Sequence, residues 1–265
     1  MRAPEIRLVD DPSEIARAAV LFGEIWPDEQ PARYAVDLLR AIVYAGGYLA
    51  GTYAIDGDDD VLIGASLGFL GRHDGELVLH SHATGVRPGT EHHGLGFALK
   101  QHQRSWARAH GLTAITWTFD PLVRRNAWFN LGKLGARVVG YVDDFYGPQT
   151  DAINRGDETD RAVVRWSTDP DEVPGTPRNG SVILAADGVV HEPPASADVL
   201  VAHTPPDVIA LRATDPAAAR RWRHAMRESF GTAIRAGWTA TAFTRDGRYT
   251  LEQCTDRRAP EAATT

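Results

Sequence analysis

The chain has 265 residues, 43% of them hydrophobic and 24% charged, which is enough to bury a core in one large domain or in one domain with an appendage. Its formal net charge of -7 argues against nucleic acid as a partner, and its single cysteine, Cys254, excludes an intrachain disulfide or a cysteine metal cluster. No run of residues approaches the ~20 apolar positions of a membrane span and no apolar leader opens the chain, so we expect no membrane partner and a cytoplasmic location.

The first part of the chain predicts helices and strands in alternation. Residues 5–10 read as a short strand, and Asp11 followed by Pro12 starts a helix that leads through Ile15 to Trp26. A second helix is expected from Ala32 to Ala45, where apolar residues recur at helical spacing. Turn-forming residues then separate three strands: Tyr48–Ile55, Val61–Leu70 and Glu76–Val86.

The stretch after the third of these strands predicts an anion site. Gly94 and Gly96 allow backbone N–H groups to approach a ligand closely. The helix expected from about His93 to His110 presents its unpaired first-turn donors and the positive end of its dipole at the same place. The dipole contributes only ~0.3–1 kcal/mol at an exposed site, so the backbone donors must supply most of the recognition. We therefore expect residues 92–98 to hold a phosphate group.

The middle of the chain completes an ordered series of elements. A strand from Thr113 to Phe119 follows the glycine-led helix, then a helix from Arg124 to Leu134 and a strand from Val138 to Val142. The order from residue 5 to this point is β-α-α-β-β-β-α-β-α-β.

The composition changes from about Ser167, where proline and glycine become frequent. They predict a linker or a long irregular segment. Further elements are expected beyond it: strands Ser181–Ala186 and Asp198–His203, a helix from Asp215 to about Arg235, and a hairpin of Thr239–Phe243 with Tyr249–Gln253. We accordingly expect a first domain over 1–166, a C-terminal α+β extension over 167–255 packed on it, and a disordered tail over 256–265.

Two motifs carry a resemblance to a known superfamily. Residues 91–96 (Glu-His-His-Gly-Leu-Gly) follow a Gln/Arg-x-x-Gly-x-Gly/Ala pattern, except that Glu91 stands at its first position. Residues 126–136 (Asn-Ala-Trp-Phe-Asn-Leu-Gly-Lys-Leu-Gly-Ala) follow an Asn-led helix that often reads Ala-x-x-x-Tyr-x-Lys-x-Gly, with Leu131 in the place of the tyrosine. Together with the element order, they resemble the Gcn5-related N-acetyltransferase (GNAT) superfamily.

A narrower resemblance is to a bacterial subfamily of predicted GNAT proteins. It rests on five short segments spread over residues 5–253: 79–82, 117–122, 125–130, 159–161 and 222–223. The resemblance implies an α/β (α+β) fold with a mixed central sheet, splayed fourth and fifth strands, and flanking helices. It also implies an acyl-CoA co-substrate, with no metal, and allows a homodimer formed through the last strands.

The resemblance implies direct transfer from acyl-CoA to an amine in a ternary complex. The residues expected to contact the cofactor are Val86, Arg87, His92, His93, Gly94, Leu95, Gly96, Phe97, Ala98, Asn126 and Phe129. The backbone N–H of Val86 or a near neighbour is the expected donor to the thioester oxygen, and Asn126 the expected contact of the pantetheine arm. Asn126 has an alternative reading as the N-cap of its helix.

His80 and His82 are the candidate catalytic histidines. Strand alternation places Val78, His80, His82, Thr84 and Val86 on one face. His80 lies six residues before Val86, the spacing of the general base in the histone-acetylating branch of the superfamily, and an imidazole titrating near pH 6.5 suits that role. Two alternatives stay open: a pair of structural histidines, and a His-x-His metal site without an evident third ligand.

Few residues are candidates for the general acid and for substrate binding. Tyr146, with Tyr141, is the candidate proton donor to the departing thiolate, although either ring also suits ordinary packing. Arg161 and the pair Arg124 and Arg125 suit a bidentate grip on a carboxylate, or are simply solvated.

The sequence thus favours an acyl-CoA-dependent N-acyltransferase acting on the amine of a small molecule, with an amino acid as one choice. A non-catalytic acyl-CoA sensor is the alternative, as is a GNAT-fold enzyme that uses succinyl-CoA or performs non-acyl chemistry.

Overall fold

The computed structural model describes residues 4–26, 34–56, 59–90, 94–147 and 156–253, without the side chains of 55, 56 and 59. The chain divides into two compact units, residues 1–116 and 117–265. The predicted tail over 256–265, the start of the predicted second helix, and both His92 and His93 lie outside the described residues.

Unit 1 contains an open sheet with strands in the order β1-β2-β3-β4-β5. The strands are β1 (Glu5–Leu8), β2 (Tyr48–Asp56), β3 (Asp59–His73), β4 (Glu76–Val86) and the first residues of β5 (Ala114–Phe119). Neighbours from β1 to β4 pair antiparallel, whereas β4 and β5 pair parallel through Leu79 with Ile115 and His80 with Thr116. The predicted strands of this unit are confirmed, with a longer β3.

Three helices flank this sheet: α1 (Pro12–Ile25), α2 (Val36–Tyr44) and α3 (Leu95–Ala109). Asp11 caps α1 as predicted, because its carboxylate accepts the backbone N–H groups of Ser13 and Glu14. The core between α1 and the sheet buries Ile15 and Phe22 against strand residues such as Leu67. On another part of the sheet, α3 packs against β2, β3 and β4.

Unit 2 begins with the last residues of β5 and continues the strand order β5-β7-β6-β10-β11-β9-β8. Its further strands are β6 (Arg137–Val142), β7 (Arg161–Ser167), β8 (Ser181–Leu184), β9 (Val199–His203), β10 (Trp238–Phe243) and β11 (Arg248–Gln253). Sequence reasoning missed β7, which pairs antiparallel with β6 and buries every second residue. The predicted hairpin of β10 and β11 is confirmed.

The helices of unit 2 include two π-helical stretches. They are α4 (Arg124–Ala127) continued by π-helix Trp128–Lys133, α5 (Val208–Thr214), and α6 (Pro216–Met226) continued by π-helix Arg227–Gly231 and α7 (Thr232–Arg235). Asp215 caps α6 as predicted, whereas α5 was missed. Among the helices of the described ranges, none combines the length and the apolar character that a membrane crossing requires.

Candidate functional site

A β-bulge interrupts β4 at His82. Leu67 of β3 pairs with Ala83, but the next residue, Gly68, pairs with Ser81, so β4 has one extra residue, His82, at this point. A bulge of this kind changes which side chains share a face, since it breaks the two-residue repeat of a strand. The predicted alternation along β4 therefore holds only as far as His82.

The faces of β4 follow from the contacts on each side of the bulge. Thr84 bonds to Ser66, which accepts a bond from Gln103 of α3, so Thr84 lies on the α3 face. His80 and His82 lie on the opposite face, where both rings contact Phe69. The prediction that Thr84 and Val86 share a face with the two histidines is wrong, because the bulge moves them to the other side.

His80 is half-buried and has few polar neighbours. Its Nδ1 atom lies 3.4 Å from Thr116 Oγ1, and its ring centroid is 5.1 Å from that of Phe69. Burial lowers the pKa of His80 to about 4, with further lowering by the charges of His82 and Lys100. The expectation of an imidazole titrating near pH 6.5 is therefore wrong, and His80 is neutral at pH 7.

His82 occupies the bulge and is exposed. Its ring lies 5.9 Å from Phe69 and 6.2 Å from Tyr34, between centroids. No cluster of three metal-ligating side chains occurs in the described ranges.

In the described part of the chain, no strand pairs with one edge of β4 towards its C-terminal end. The ladder between β4 and β5 consists of the two pairs that end at His80, and β4 continues to Val86. The Arg87 N–H donates to Ile63 O at 2.7 Å, which makes Val86 and Gly64 a non-hydrogen-bonded pair. In such a pair the backbone groups point away from the partner strand. The N–H of Val86 therefore points to the edge of β4 that does not face β3.

Two glycine residues lie at the N-terminus of α3. Gly94, the N-cap, adopts the left-handed conformation with φ 73, which favours glycine. The first helical bond runs from Ala98 N to Gly94 O, so the N–H groups of Leu95, Gly96 and Phe97 precede the intrahelical ladder. A Cβ placed on Gly94 or Gly96 would meet no described atom within 4 Å. Among the described residues, therefore, none occupies these N–H groups or the space beside the two glycines.

The residues predicted on the Asn-led helix fall at its start. The N-cap of α4 is Val123, so the alternative reading of Asn126 as the cap is wrong. Asn126 and Phe129 are half-buried, and for Asn126 the described part of the chain shows a backbone bond to Val123 but no side-chain bond. Leu131 is fully buried.

Tyr146 and Arg161 lie together in unit 2. The Arg161 guanidinium carbon sits 5.1 Å from the centroid of the Tyr146 ring, which is 49% exposed. Tyr141 is different, because it is buried and its hydroxyl donates to Asp160 at 2.7 Å. Burial and the nearby Asp160 carboxylate raise the pKa of Tyr141 far above its ordinary value, which makes it a poor proton donor.

The arginine pair next to Asn126 has two different environments. Arg124 donates to the Thr204 carbonyl at 2.7 Å and to the Thr204 hydroxyl at 3.3 Å, so its guanidinium has a structural role. Arg125 is exposed.

Comparison with known proteins bears on the fold. No protein-family model matches the sequence, and no curated protein matches it. Among solved structures, yncA of Salmonella typhimurium, a putative acetyltransferase with its cofactor acetyl-CoA, is similar with 16% identity and a TM-score of 0.50, over 66% of this chain and 99% of that one. The fold is the GNAT fold.

Other GNAT-like structures are similar too. A putative acetyltransferase of the GNAT family from Desulfovibrio desulfuricans has 15% identity and a TM-score of 0.48, over 63% of this chain and 99% of that one. Naa50 of Arabidopsis thaliana, in complex with a bisubstrate analogue, has 19% identity and a TM-score of 0.45 over the same shares. The GNAT resemblance predicted from the sequence is confirmed for the fold, whereas the bacterial subfamily stays a prediction.

Two buried polar clusters of this structure were not predicted from the sequence. In unit 1, Lys100 of α3 donates to Ser81 Oγ at 2.7 Å and to Gln103 Oε1 at 3.3 Å. In unit 2, Arg212 and Arg223 form ion pairs with Asp120 and Asp157. The only sequence feature that pointed to the second cluster was Arg223. It lies three residues before Met226 and therefore on the apolar side of α6.

Proposed function

We propose that this protein is an acyl-CoA-dependent N-acyltransferase, which passes an acetyl or larger acyl group directly to the amine of a small molecule. The observation that carries the proposal is the end of β4, where an edge without β5 pairing is followed by the glycine-built N-terminus of α3. An extended ligand can pair with such an edge while its phosphates meet the helix donors. An acyl-CoA, with its amide-rich arm and pyrophosphate, has both features.

The α3 terminus is the proposed pyrophosphate site. The N–H groups of Leu95, Gly96 and Phe97 are the donors, and the glycines leave the space that phosphate oxygens need. The N–H of Val86 is the proposed donor to the thioester oxygen, since it points to the open edge of β4. Asn126 and Phe129 remain the proposed contacts of the pantetheine arm.

His80 is the proposed general base. Its neutral imidazole at pH 7 can accept a proton from the acceptor ammonium, although a pKa of about 4 makes it a weak base. The freed amine nitrogen attacks the thioester carbonyl carbon, the new C–N bond forms, and the C–S bond breaks. The thiolate of CoA then takes up a proton, for which Tyr146 is the proposed donor, and the second proton that the attacking nitrogen loses returns to Tyr146.

The organisation of the chain is part of the proposal. We place the acyl-CoA-binding domain at 1–166 and an extension at 167–255. A cytoplasmic location and a homodimer remain predictions.

The test is a kinetic comparison of His80→Ala with the unmodified protein, with CoA release measured over a panel of small amines. We expect a kcat at least about 100-fold lower, because a positioned base contributes ~100-fold or more, and an unchanged acetyl-CoA affinity by calorimetry. His224→Ala is the control, since His224 is 64% exposed on α6 and contacts Glu158. An unchanged kcat in His80→Ala contradicts the assigned base.

A second function, a non-catalytic acyl-CoA sensor, is favoured by two observations. Leu131 is buried where many GNAT members have a catalytic tyrosine, and burial makes His80 a weak base. Acetyl-CoA binding without CoA release on any amine, with acetyl-, propionyl- or succinyl-CoA as donor, would support the sensor over the enzyme.

A further inference from the structure

Arg161 lies in an unusual environment for a cationic side chain. It begins β7 and is half-buried. Its one hydrogen bond to the described part of the chain runs from Nη1 to the Asp160 carbonyl at 3.1 Å, and its other contact is the face of Tyr146. A guanidinium has five N–H donors, so most of the fork is unused.

The carboxylates around Arg161 are occupied by other arginines. Asp120 accepts from Arg212 Nη2 at 2.6 Å and from Arg223 Nη2 at 2.7 Å, and Asp157 accepts from Arg212 Nε at 3.0 Å. These four side chains are at most 8% exposed, so the pairs are shielded from water.

The third carboxylate, that of Asp160, is also paired with other groups. It is buried, forms an ion pair with Arg227, and accepts a bond from the Tyr141 hydroxyl at 2.7 Å. Its backbone carbonyl, and not its carboxylate, is what faces the Arg161 guanidinium.

Arg161 is the arginine of this cluster without a carboxylate partner of its own among the described residues. Asp120, Asp157 and Asp160 pair with Arg212, Arg223 and Arg227. Glu158 pairs with Arg227 as well. Burial lowers the pKa of Arg161, but an arginine stays protonated in a protein. A half-buried guanidinium whose donors lack acceptors is costly, and an anionic ligand removes that cost.

The surroundings of Arg161 also select the kind of anion. A single carboxylate matches the guanidinium fork in a bidentate pair. A phosphate dianion would place a second additional negative charge next to carboxylates that are already paired. The neighbouring Tyr146, our proposed proton donor, lies at the face of the same guanidinium.

We propose that Arg161 binds a carboxylate of the acceptor, so that the substrate is an amine that also carries a carboxylate, as an amino acid does. This proposal rests on the proposed N-acyltransferase function. It assigns the role to Arg161 over Arg124, which is held by Thr204, and over Arg125, which is exposed.

The test compares each common α-amino acid with its own α-carboxamide as acceptor, with CoA release as the readout. We expect the unmodified protein to prefer the acid form. Arg161→Gln should lower kcat/KM for the acid by about 100-fold, the loss of a bidentate charged pair, and leave kcat/KM for the carboxamide unchanged. Arg221→Gln is the matched control, since Arg221 is 72% exposed on α6, and should change neither value.

Arg161→Lys covers the case in which Arg161→Gln does not fold. It keeps the charge but loses the planar fork, so the preference for the acid should fall by about tenfold. An acid preference that survives in both variants, or equal use of acid and carboxamide by the unmodified protein, overturns the proposal.

A measurement without turnover separates this proposal from the enzymatic one. N-acetylalanine should raise the unfolding temperature of the unmodified protein, N-acetylalaninamide should not, and Arg161→Gln should respond to neither. A carboxylate-dependent rise without CoA release on any amine keeps the carboxylate site and contradicts the transferase. No rise with N-acetylalanine and no acid preference contradicts the site.

Discussion

Lys100 Nζ donates to Ser81 Oγ at 2.7 Å, and this bond ties α3 to β4 directly before the bulge residue His82. Gln103 continues the contact to Ser66, which in turn bonds to Thr84 after the bulge. The two sides of the bulge are therefore held by one buried network that reaches across from α3. The geometry of the proposed acyl-CoA edge depends on this network.

Burial lowers the pKa of Lys100 to about 7 from an ordinary 10.5. Between these values the unfolded chain binds a proton that the folded protein does not, so the free energy of unfolding should rise with pH across this window. We expect about 1.4 kcal/mol per pH unit from this group. Denaturant unfolding at pH 7 to 10 should show this slope in the unmodified protein, relative to Lys100→Met.

Lys133→Met is the control for that experiment, because Lys133 is the other lysine of the chain and is exposed. Its slope should equal that of the unmodified protein. Equal slopes in all three proteins would contradict the buried, weakly basic state of Lys100.

His80 predicts a second pH effect at lower pH. Its folded pKa is about 4 and its ordinary value is 6.5, so the unfolded chain binds the proton first as pH falls. The free energy of unfolding should therefore fall between pH 6.5 and pH 4, by about 1.4 kcal/mol per pH unit. His80→Gln should lower this slope relative to the unmodified protein, and His224→Gln should keep it. Part of the slope remains in all three proteins, because burial also lowers the pKa of His102 and of His203. Equal slopes in His80→Gln and the unmodified protein refute the assignment.

The buried arginine of α6 predicts a stability effect. Arg223 is fully buried and pairs with Asp120 and Asp157, so Arg223→Met leaves these carboxylates with Arg212 alone. Breaking a buried pair from one side costs about 3–5 kcal/mol, and urea unfolding should show a loss of that size. Adding Asp120→Asn should recover part of it.

The matched control is Arg221→Met, because Arg221 lies on the same helix but is 72% exposed. Its effect should stay within about 0.5 kcal/mol. Similar losses for the two arginines would show that the cluster contributes little to stability.

Local signals in the sequence predicted much of the fold. Asp11 and Asp215 start their helices as expected, and the order of elements to Val142 was sufficient to indicate the fold. β7 was missed although the loop-forming residues Gly156, Asp157 and Thr159 precede it and every second residue of the strand is buried. Its position between β5 and β6 depends on long-range pairing, which no local pattern gives.

The candidate site was predicted less completely, for physical reasons. A bulge adds one residue to a strand without a sequence signature, so the face of Val86 was assigned wrongly. The carboxylate partners of Arg223 lie 66 and 103 residues away in the sequence, and no spacing rule connects them. The pKa of His80 depends on burial, which the sequence does not give.

The central claim is that the α3 terminus binds the pyrophosphate of acyl-CoA, and Gly96 offers the cleanest variant. Its Cβ position is open, as is that of Gly23, an exposed helical glycine in α1. Gly94 is less suitable, because its φ of +73 makes any β-branched residue strained there.

The decisive measurement is the calorimetric affinity for acetyl-CoA of the unmodified protein, Gly96→Val and Gly23→Val, with the unfolding temperature as a check on folding. We predict that the unmodified protein and Gly23→Val bind equally, and that Gly96→Val binds at least about 100-fold more weakly, a loss of about 3 kcal/mol. Equal binding by all three proteins, or no binding by the unmodified protein, would contradict the claim.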